Sequence, residues 1–397
     1  MKKIFYYAVL ISAALSCNDL AAGSVDLDLG TDSGKNDGEL YIPATFVHPG
    51  MMHTTADIER WREIIMLKEQ PAYRCYEMFA SDVRSSPDYV MNGPYAEIYR
   101  GNDNGTRPSI QSKYENDMNA AYQNAVMYAV TQNEAHAVKS VEVLMAYANT
   151  LQAIVGGDQP LLAGIMGVKF MYAAELIRYI YPKGMTDENF AKVCDMFRKV
   201  FMPVLDKFMA TSAYSNGNWG ASVGMTYVAA GVLFDDVDIY KKGIKFFLYG
   251  NDNGTLHNYI DGETGQCQES GRDQAHVQLG LACLSVTCEI AYKQGTDLYG
   301  LWDNRLMKGY EYTSKYNAGF DDVPFKTWKD ITGKYCNWTK ISTEKRGDFR
   351  PVFEMPYNHY VRRKGLAMPY TKMVLDRISP EGYYYEHFGF GTFLFND

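Results

Sequence analysis

The sequence predicts an all-α protein built from antiparallel pairs of helices. Apolar residues recur at the spacing of an amphipathic helix through most of residues 54–316, and few segments alternate apolar and polar residues over the length of a strand. The predicted helices follow one another across short polar turns, which favours antiparallel neighbours. With 397 residues and 47% hydrophobic content, the chain is long enough to bury a substantial core.

The helices can be placed in order from their caps and their apolar period. The first follows Thr54 and Thr55, and the next two, at 117–131 and 134–154, are separated by a short polar turn. Residues 161–180 are apolar but interrupted by Lys169 and Glu175, which indicates a buried helix rather than a membrane span. Thr186 is the predicted N-cap of the next helix, in which apolar residues recur at helical spacing. The remaining predicted segments are residues 186–208, 221–234, 237–248, 274–293 and 304–316.

The N-terminus has the features of a bacterial export signal. Lys2 and Lys3 precede an apolar run too short to span a bilayer, and Ala-Leu-Ser-Cys17 resembles a lipobox. We therefore predict a signal peptide at residues 1–16 and a lipid anchor at Cys17, in the outer membrane of a Gram-negative bacterium, at the cell surface or in the periplasm. Residues 17–45, rich in Asp, Gly and Ser, predict a flexible acidic tether, and residues 46–397 predict one folded domain.

Composition narrows the possible partners. A net charge of −8 makes nucleic acid an unsuitable partner, whereas 32 tyrosines, 19 phenylalanines and 5 tryptophans suit either sugar stacking or core packing. The six cysteines after Cys17 lack metal-type or disulfide-type spacing, which predicts buried thiols. The hexapeptide Gly-Asn-Asp-Asn-Gly-Thr occurs at 101–106 and 250–255 without the spacing of a calcium loop, which predicts turns. No metal or cofactor is expected.

The densest group of chemically active side chains lies at residues 266–276, Gln-Cys-Gln-Glu-Ser-Gly-Arg-Asp-Gln-Ala-His. Ser270 followed by Asp273 resembles a capping box, which predicts a helix that starts one residue after Ser270 and carries Arg272 and His276 on one face. A cation in the first turn of a helix opposes the macrodipole, so Arg272 indicates a role other than helix stability. The structural alternative is a local ion pair of Arg272 and a satisfied core histidine.

Three further groups suit binding or catalysis. Asn218 and Trp219 lie in a glycine-punctuated turn, where the amide could bind a carboxylate and the indole could stack on a sugar ring, although asparagine is common in turns. A second group falls on one helical face: Arg305, Gly309, Tyr312 and Tyr316. A third forms either an anion-binding surface or a solvated basic edge: Tyr357, His359, Arg362 and Arg363, with Glu386 and His387 further on.

Several of these motifs together resemble the alginate-lyase-like proteins of polysaccharide lyase family 38. They are Asn-Trp-Gly, Gly-Gln-Cys-Gln-Glu-Ser-Gly-Arg-Asp-Gln-x-His, Asp-Leu-Tyr-Gly and Asp-Asn-Arg-Leu-x-Lys-Gly-x-Glu-Tyr-Thr, between about Trp219 and the C-terminal Gly-Phe-Gly-Thr. The resemblance implies an (α/α) toroid with loops over a cleft and metal-independent cleavage of a polyuronate, either alginate or glucuronan. It implies an Asn, an Arg, a His and a Tyr in the catalytic roles: Asn218, Arg272, His276 and Tyr312, with His257 and Tyr310 as alternatives.

The chemistry of β-elimination explains this set of residue types. Cleavage beside a uronate removes the proton on C5 and expels the oxygen on C4, so donors such as Asn218 and Arg272 must neutralise the carboxylate. In mannuronate or glucuronate the proton and the oxygen lie on one side of the ring, and a single tyrosine such as Tyr312 can serve as base and acid. In guluronate they lie on opposite sides, and His276 or His257 would take the proton.

The remaining candidates bind substrate or support the catalytic groups. A tyrosine base needs a nearby cation that lowers its pKa, and Arg272 or Arg305 could provide it. Glu269 is expected to orient Arg272 or His276. The candidate substrate-binding residues are Trp219, Glu269, Arg305, Tyr310, Tyr316, Tyr357, His359 and Arg362.

Two other functions are consistent with the sequence. A glycoside hydrolase on a similar toroid would use two carboxylates from Asp261, Glu263, Glu269 and Asp273. A non-catalytic, surface glycan-binding lipoprotein would use the aromatic residues as platforms, and it would not need an arginine, a histidine and a tyrosine to converge.

Overall fold

The computed structural model describes residues 40–101 and 110–397, which are mostly helical. The helices are α1 (Thr55–Leu67), α2 (Ala72–Ser81), α3 (Gln111–Thr131), α4 (Glu134–Thr150), α5 (Gln159–Ile180), α6 (Asp187–Met196), α7 (Met202–Ala210), α8 (Gly217–Leu233), α9 (Val237–Tyr249), α10 (Leu256–Tyr259), α11 (Gln274–Lys293), α12 (Leu301–Asn317), α13 (Glu354–Tyr357), α14 (Pro369–Ile378) and α15 (Gly391–Leu394). A 3-10 helix at Val83–Ser85 and π-helices at Phe197–Phe201 and Asn358–Arg363 complete the helical structure of these ranges. Two short strands, β1 (Glu97–Tyr99) and β2 (Ala153–Val155), pair in parallel with Ile98 opposite Ile154.

Helices α5 and α8 form the centre of the fold. Helix α8 packs against α5, α9 and α11, and α3 packs against α4 and α5. Both central helices are apolar around most of their circumference, which suits burial on every side. Two glycines allow close helix contact: a Cβ at Gly164 would lie 2.5 Å from Ser222 Oγ, and one at Gly231 would lie 2.6 Å from Tyr240 Cα. In the described ranges only α5 is long and apolar enough to cross a bilayer, and its apolar window is entirely buried in the protein, as predicted.

The predicted helices agree with the observed ones in type and, for most, to within a few residues. The segment 274–293 coincides with α11, whereas α3 begins at Gln111 rather than at residue 117. The run predicted at 186–208 divides into α6, a π-helix and α7. Pro203 follows the π-helix; it has no N–H to donate, and its ring displaces the carbonyl four residues earlier. The segment predicted to reach residue 154 ends at Thr150 because the chain then turns into β2.

Several predictions concern residues outside the described ranges. The signal peptide, the Cys17 anchor, most of the tether and most of the first hexapeptide therefore stay predictions. Packing begins before residue 46, since Leu40 and Ile42 belong to the hydrophobic core. The second hexapeptide forms a turn in which the Asp252 carboxylate accepts a hydrogen bond from Gly254 N at 2.7 Å. Among described residues, no group of three or more His, Cys, Asp or Glu side chains could hold a metal ion.

The described cysteines match the prediction of unpaired thiols. None forms a disulfide, and only Cys336 is partly exposed, while the others are buried: Cys75, Cys194, Cys267, Cys283 and Cys288.

A long loop over residues 318–353 covers one end of α11 and α12. Gln274 Nε2 donates to Ser342 O at 3.0 Å, and Gln278 Nε2 donates to Asp348 O at 3.0 Å. These two glutamines lie one turn apart on α11, so together they fix the loop above the N-terminal half of that helix. The loop thus covers the N-terminal half of α11, in line with the loops over a cleft that the resemblance implies.

Candidate active site

The N-terminal ends of α8 and α11 meet at a buried carboxylate, Glu269. Asn218, the second residue of α8, donates to it twice: Nδ2 to Oε1 at 2.7 Å and the backbone N to Oε2 at 3.0 Å. Arg272 Nη1 donates to Oε1 at 2.8 Å, and the Tyr259 hydroxyl donates to Oε2 at 3.1 Å. The Glu269 side chain has no exposed surface. Glu269 therefore fixes the position of Arg272 relative to α8.

His276 lies between a cation and a second carboxylate. Its Nδ1 is 2.6 Å from Asp273 Oδ2, and its Nε2 is 3.1 Å from Arg272 Nη2. A guanidinium can only donate, so Nε2 must accept and the ring proton must lie on Nδ1, facing Asp273. The side chains of Arg272 and His276 are 30% and 35% exposed. Both side chains are therefore accessible to a ligand. The imidazole is held in the tautomer whose Nε2 carries the lone pair.

The start of α11 differs from the predicted capping box. The helix begins at Gln274, and Asp273 is its N-cap, accepting from His276 N at 2.8 Å. Ser270 Oγ instead accepts from Cys267 N at 3.1 Å, so it is not available as a cap. Arg272 consequently precedes the helix, and its charge does not lie in the first helical turn. The predicted proximity of Arg272 and His276 is nevertheless observed.

The Asn218 side chain is fully buried, whereas the Arg272 side chain, which donates to the same Glu269 oxygen, is 30% exposed. The Asn218 Nδ2 donates to Glu269, and the Asn218 Oδ1 is buried with no hydrogen-bond partner among the described residues. A substrate carboxylate entering the site would therefore reach Arg272 before Asn218. This position suits support of Glu269 better than the direct contact with substrate that the sequence predicts.

Tyr335, a loop residue that the sequence analysis does not single out, lies within electrostatic range of Arg272. Burial raises the pKa of the Tyr335 phenol above its usual value, and the Arg272 guanidinium partly offsets this. Its hydroxyl donates to Tyr214 O at 3.3 Å, and its ring stacks on Trp338 with centroids 6.1 Å apart. Trp338 packs over Gly271, where a Cβ would lie 2.3 Å from the Trp338 Cβ. Tyr335 and Trp338 form an aromatic wall next to Gly271. The only sequence signal for this wall is the abundance of Tyr and Trp in the loop.

Trp219 extends the aromatic wall on the α8 side. Its half-buried ring meets the Tyr214 ring edge-on, with centroids 6.1 Å apart. Lys334 Nζ lies 3.5 Å from Tyr214 O, which places an exposed positive charge at the rim. Aromatic faces and basic groups in one region of the surface suit an acidic sugar.

The predicted tyrosines of α12 hold the loop instead of joining Arg272. The Tyr312 hydroxyl donates to Pro324 O at 2.7 Å, and the Tyr310 hydroxyl, 2.7 Å from Ser285 Oγ, donates to Val352 O at 3.1 Å. Burial raises the pKa of both phenols. Tyr316 lies under the Arg346 guanidinium, 4.0 Å from its ring centroid. Helical spacing predicts that Tyr312 and Tyr316 share a face, and that face packs against the loop.

The C-terminal group of candidates lies in a different part of the fold. His359 stacks on Tyr299 with centroids 3.9 Å apart, and burial lowers its pKa to about 4. Arg362 pairs with Glu354 at 3.1 Å, and its guanidinium lies 5.5 Å from the centroid of the Tyr357 ring. These contacts give Tyr357, His359 and Arg362 a structural role in the packing around α13.

Glu386 lies in a buried ionic group that includes two arginines missed by the sequence analysis. Its carboxylate pairs with Arg100 at 2.5 Å and with Arg350 at 3.2 Å. His387 Nε2 is 3.5 Å from Arg350 Nη1, and burial lowers its pKa. Arg350 N donates to Gln278 Oε1 at 2.8 Å, which places this group further along α11 from His276.

His257 and Arg305 lie together, away from Arg272. Both line a second cavity that none of Asn218, Glu269, Arg272 and His276 lines. His257 Nδ1 donates to Leu248 O at 2.8 Å. The structure thus keeps His257 and Arg305 apart from the group formed by Asn218, Glu269, Arg272 and His276.

The comparisons with known proteins agree with the predicted fold. A family model described as alginate lyase matches residues 78–323. Alginate lyase A1-III from Sphingomonas species A1 aligns with a TM-score of 0.63 at 14% identity, covering 88% of this chain and 99% of that one. A variant of A1-III complexed with tetrasaccharide aligns with a TM-score of 0.63 at 12% identity, with the same coverage. An alginate lyase from Bacteroides ovatus aligns with a TM-score of 0.58 at 12% identity, covering 83% of this chain and 96% of that one.

No curated protein sequence matches the chain. The structural likenesses confirm the predicted (α/α) toroid.

Proposed function

Because the chain belongs to the alginate lyase family and is a polysaccharide lyase, we propose that it cleaves alginate by β-elimination at Arg272, His276 and Tyr335. The observation that carries these roles is the exposed contact between Arg272 and a histidine whose tautomer Asp273 fixes. Membership of polysaccharide lyase family 38, with glucuronan as an alternative substrate, is part of the same proposal.

Arg272 is the donor that neutralises the uronate carboxylate. Removal of the C5 proton places further negative charge on a group that is already ionised, so a charged donor stabilises the transition state more than the ground state. Glu269 holds Nη1 at 2.8 Å, which fixes the guanidinium before substrate binds. In this scheme Asn218 is a positioning residue, since it binds the same Glu269 oxygen.

His276 is the base that takes the C5 proton. Its Nε2 has a lone pair directed at Arg272 Nη2, and a substrate carboxylate that takes over the hydrogen bond from Nη2 leaves this lone pair free to accept the C5 proton. As Nε2 gains the proton, Asp273 stabilises the positive charge through its hydrogen bond to Nδ1. Hydrogen bonds from His276 lower the pKa of Asp273 even though burial alone would raise it, which suits a partner that stays ionised.

Tyr335 is the acid that protonates the departing O4. Burial raises the pKa of its phenol above the usual value of about 10, so the hydroxyl keeps its proton at neutral pH. A protonated phenol is better suited to deliver a proton than to remove one from C5. His276 and Tyr335 thus divide the two proton transfers for guluronate, whose C5 proton and O4 lie on opposite sides of the ring, whereas for mannuronate or glucuronate one residue can serve as both base and acid.

The carboxylates that a hydrolase would use do not form a suitable pair. Hydrolysis needs two carboxyl groups on either side of the scissile bond. Glu269 is fully buried, Asp273 is bonded to His276, Asp261 pairs with Lys326, and Glu263 is exposed at the surface. This arrangement supports elimination over hydrolysis.

We expect purified protein to raise the ultraviolet absorbance of an alginate solution, because elimination leaves a C4–C5 double bond. The rise should persist with a chelator present, since an arginine provides the neutralising charge. Polymannuronate, polyguluronate, mixed alginate and glucuronan, assayed in parallel, identify the preferred uronate, and an uncharged glucan is the control. New reducing ends without absorbance would indicate hydrolysis instead.

We also propose that the protein is exported and anchored in the outer membrane through a lipid on Cys17. The apolar run before Ala-Leu-Ser-Cys supports this. The native protein should need mild detergent for release from membranes, and Cys17→Ser should abolish lipidation. Recovery of the unmodified native protein as a freely soluble periplasmic species would contradict the anchor.

A further inference from the structure

The second hexapeptide, residues 250–255, packs directly against the first turn of α8. A Cβ at Gly254 would lie 2.2 Å from Ala221 N and 2.3 Å from Gly217 O, so the two backbones touch at a position that only glycine allows. Asn253, the residue before that glycine, has no exposed surface. The turn therefore holds Asn253 at a fixed position beside the start of α8.

The Asn253 side chain joins the start of α8 to the long loop. Its Nδ2 donates to Ser215 O at 2.9 Å, just before α8, and to Asp330 Oδ2 at 3.0 Å in the loop. Its Oδ1 accepts from Ile331 N at 3.2 Å. The amide nitrogen and the amide oxygen are thus both used. A side chain that served only to form the 250–255 turn would bond within that turn, whereas all three of these bonds leave it.

Asp330 connects Asn253 to the backbone of Tyr335. Its Oδ1 accepts from Tyr335 N at 3.0 Å, and its Oδ2 accepts from Thr332 N at 2.9 Å and from the Thr332 hydroxyl. The carboxylate thereby closes residues 330–335 into one compact turn. Burial alone would raise the pKa of this carboxyl group, but hydrogen bonds from Thr332, Asn253 and Tyr335 N lower it, so the group is ionised at neutral pH.

Tyr335 is therefore held at two points, one at each end of the residue. Its hydroxyl donates to Tyr214 O at 3.3 Å, a long bond that must break when the phenol protonates O4. The bond from its backbone N to Asp330 does not involve the phenol, so it can persist throughout the reaction. The position of the phenol relative to α8 during proton transfer thus depends on Asp330 and, through it, on Asn253.

We propose that Asn253 and Asp330 are positioning residues that hold Tyr335 against the start of α8. Both are buried and act through the backbone of Tyr335. The inference rests on the proposed function for the role of Tyr335 as the acid, and it gives the second hexapeptide a function beyond forming a turn. A misplaced acid slows proton delivery to O4 and leaves the substrate-binding groups in place, so the effect falls on kcat rather than on KM.

Asp330→Asn tests the contact with a side chain of the same shape. Its remaining oxygen can still accept from Asn253 and Thr332, whereas its amide group faces Tyr335 N and cannot accept from it. We expect kcat on alginate to fall about tenfold or more with little change in KM. Asn253→Ala should lower kcat in the same way. Asp322→Asn is the matched control, because it removes an exposed carboxylate from the same loop, and it should keep the wild-type kcat.

The reactivity of Cys336 measures the hold on the loop independently of catalysis. Cys336 follows Tyr335 directly, its thiol donates to Gly333 O at 3.3 Å, and it is the one partly exposed cysteine among the described residues. A looser turn exposes this thiol more often, so Asp330→Asn and Asn253→Ala should react about tenfold faster with a coloured disulfide reagent. Cys336→Ser gives the background rate of the other thiols.

Kinetics in a Tyr335→Phe background separate positioning from a general loss of stability. Without the acidic hydroxyl, Asp330→Asn should lower kcat no further, because the two residues act as one unit. The same fractional loss of kcat in both backgrounds, or an unchanged thiol rate in both Asp330→Asn and Asn253→Ala, would overturn the inference.

The two readouts also separate this inference from the proposed function. If Tyr335→Phe keeps full activity while the thiol rate rises in Asp330→Asn and Asn253→Ala, the acid assignment fails and the hold on the loop stands. If no polyuronate is cleaved, the lyase proposal fails, and the thiol rate alone decides whether Asn253 and Asp330 hold the loop.

Discussion

His276→Ala should lower kcat on alginate by about 10²–10⁴, the usual contribution of a general base. The imidazole is 35% exposed and caps no helix, so its removal costs little packing and the protein should unfold at nearly the wild-type temperature. Added imidazole should restore part of the rate, because a small base can occupy the vacated space beside Arg272. Full activity of His276→Ala would falsify the assignment.

Asp273→Asn tests the same base without removing it. Asparagine caps helices as well as aspartate does, so α11 should keep its start. Its amide can donate to Nδ1, which would place the ring proton on Nε2, facing a guanidinium that also donates. The wrong tautomer should lower kcat by about 10²–10⁴ with little change in KM. A rate close to wild type would mean that Asp273 serves only as the cap.

The fold was predictable because helical period and caps are local properties. The segment at 274–293 coincides with α11, and its neighbours differ mainly at their ends. The closure of the helices into a toroid was implied by motif resemblance alone. The spacing of apolar residues predicts which face of a helix is buried, but not which other helix packs against that face. The π-helix before α7 follows from a proline whose effect on register is visible only in three dimensions.

The centre of the site was predictable for the same reason, and its surroundings were not. Arg272 and His276 are four residues apart, so local spacing brings them together. Asn218 and Glu269 are 51 residues apart, and their contact depends on how α8 packs on α11. Tyr335 lies in a loop without period, whose path depends on side-chain bonds to backbone carbonyls. Helical spacing likewise places Tyr312 on a face without revealing that this face packs on Pro324.

Tyr335→Phe should lower kcat by about 10²–10⁴, because the variant keeps the ring and loses only the acidic hydroxyl. The lost bond to Tyr214 O is long, at 3.3 Å, and the stacking on Trp338 remains, so stability should change little. The matched control is Tyr312→Phe, which removes a 2.7 Å bond to Pro324 O. That variant should lose about 1 kcal/mol of stability and keep its kcat.

The contrast between the two tyrosines is informative because each has a claim to the same role. Motif position favours Tyr312, whereas the electrostatic effect of Arg272 on its phenol favours Tyr335. A hydroxyl that donates to a backbone carbonyl in a buried setting cannot reach O4 without breaking that bond, and Tyr335 has the weaker tie of the two. If kcat falls in Tyr312→Phe and is retained in Tyr335→Phe, the acid lies on α12, and the loop must move away from Pro324 when substrate binds.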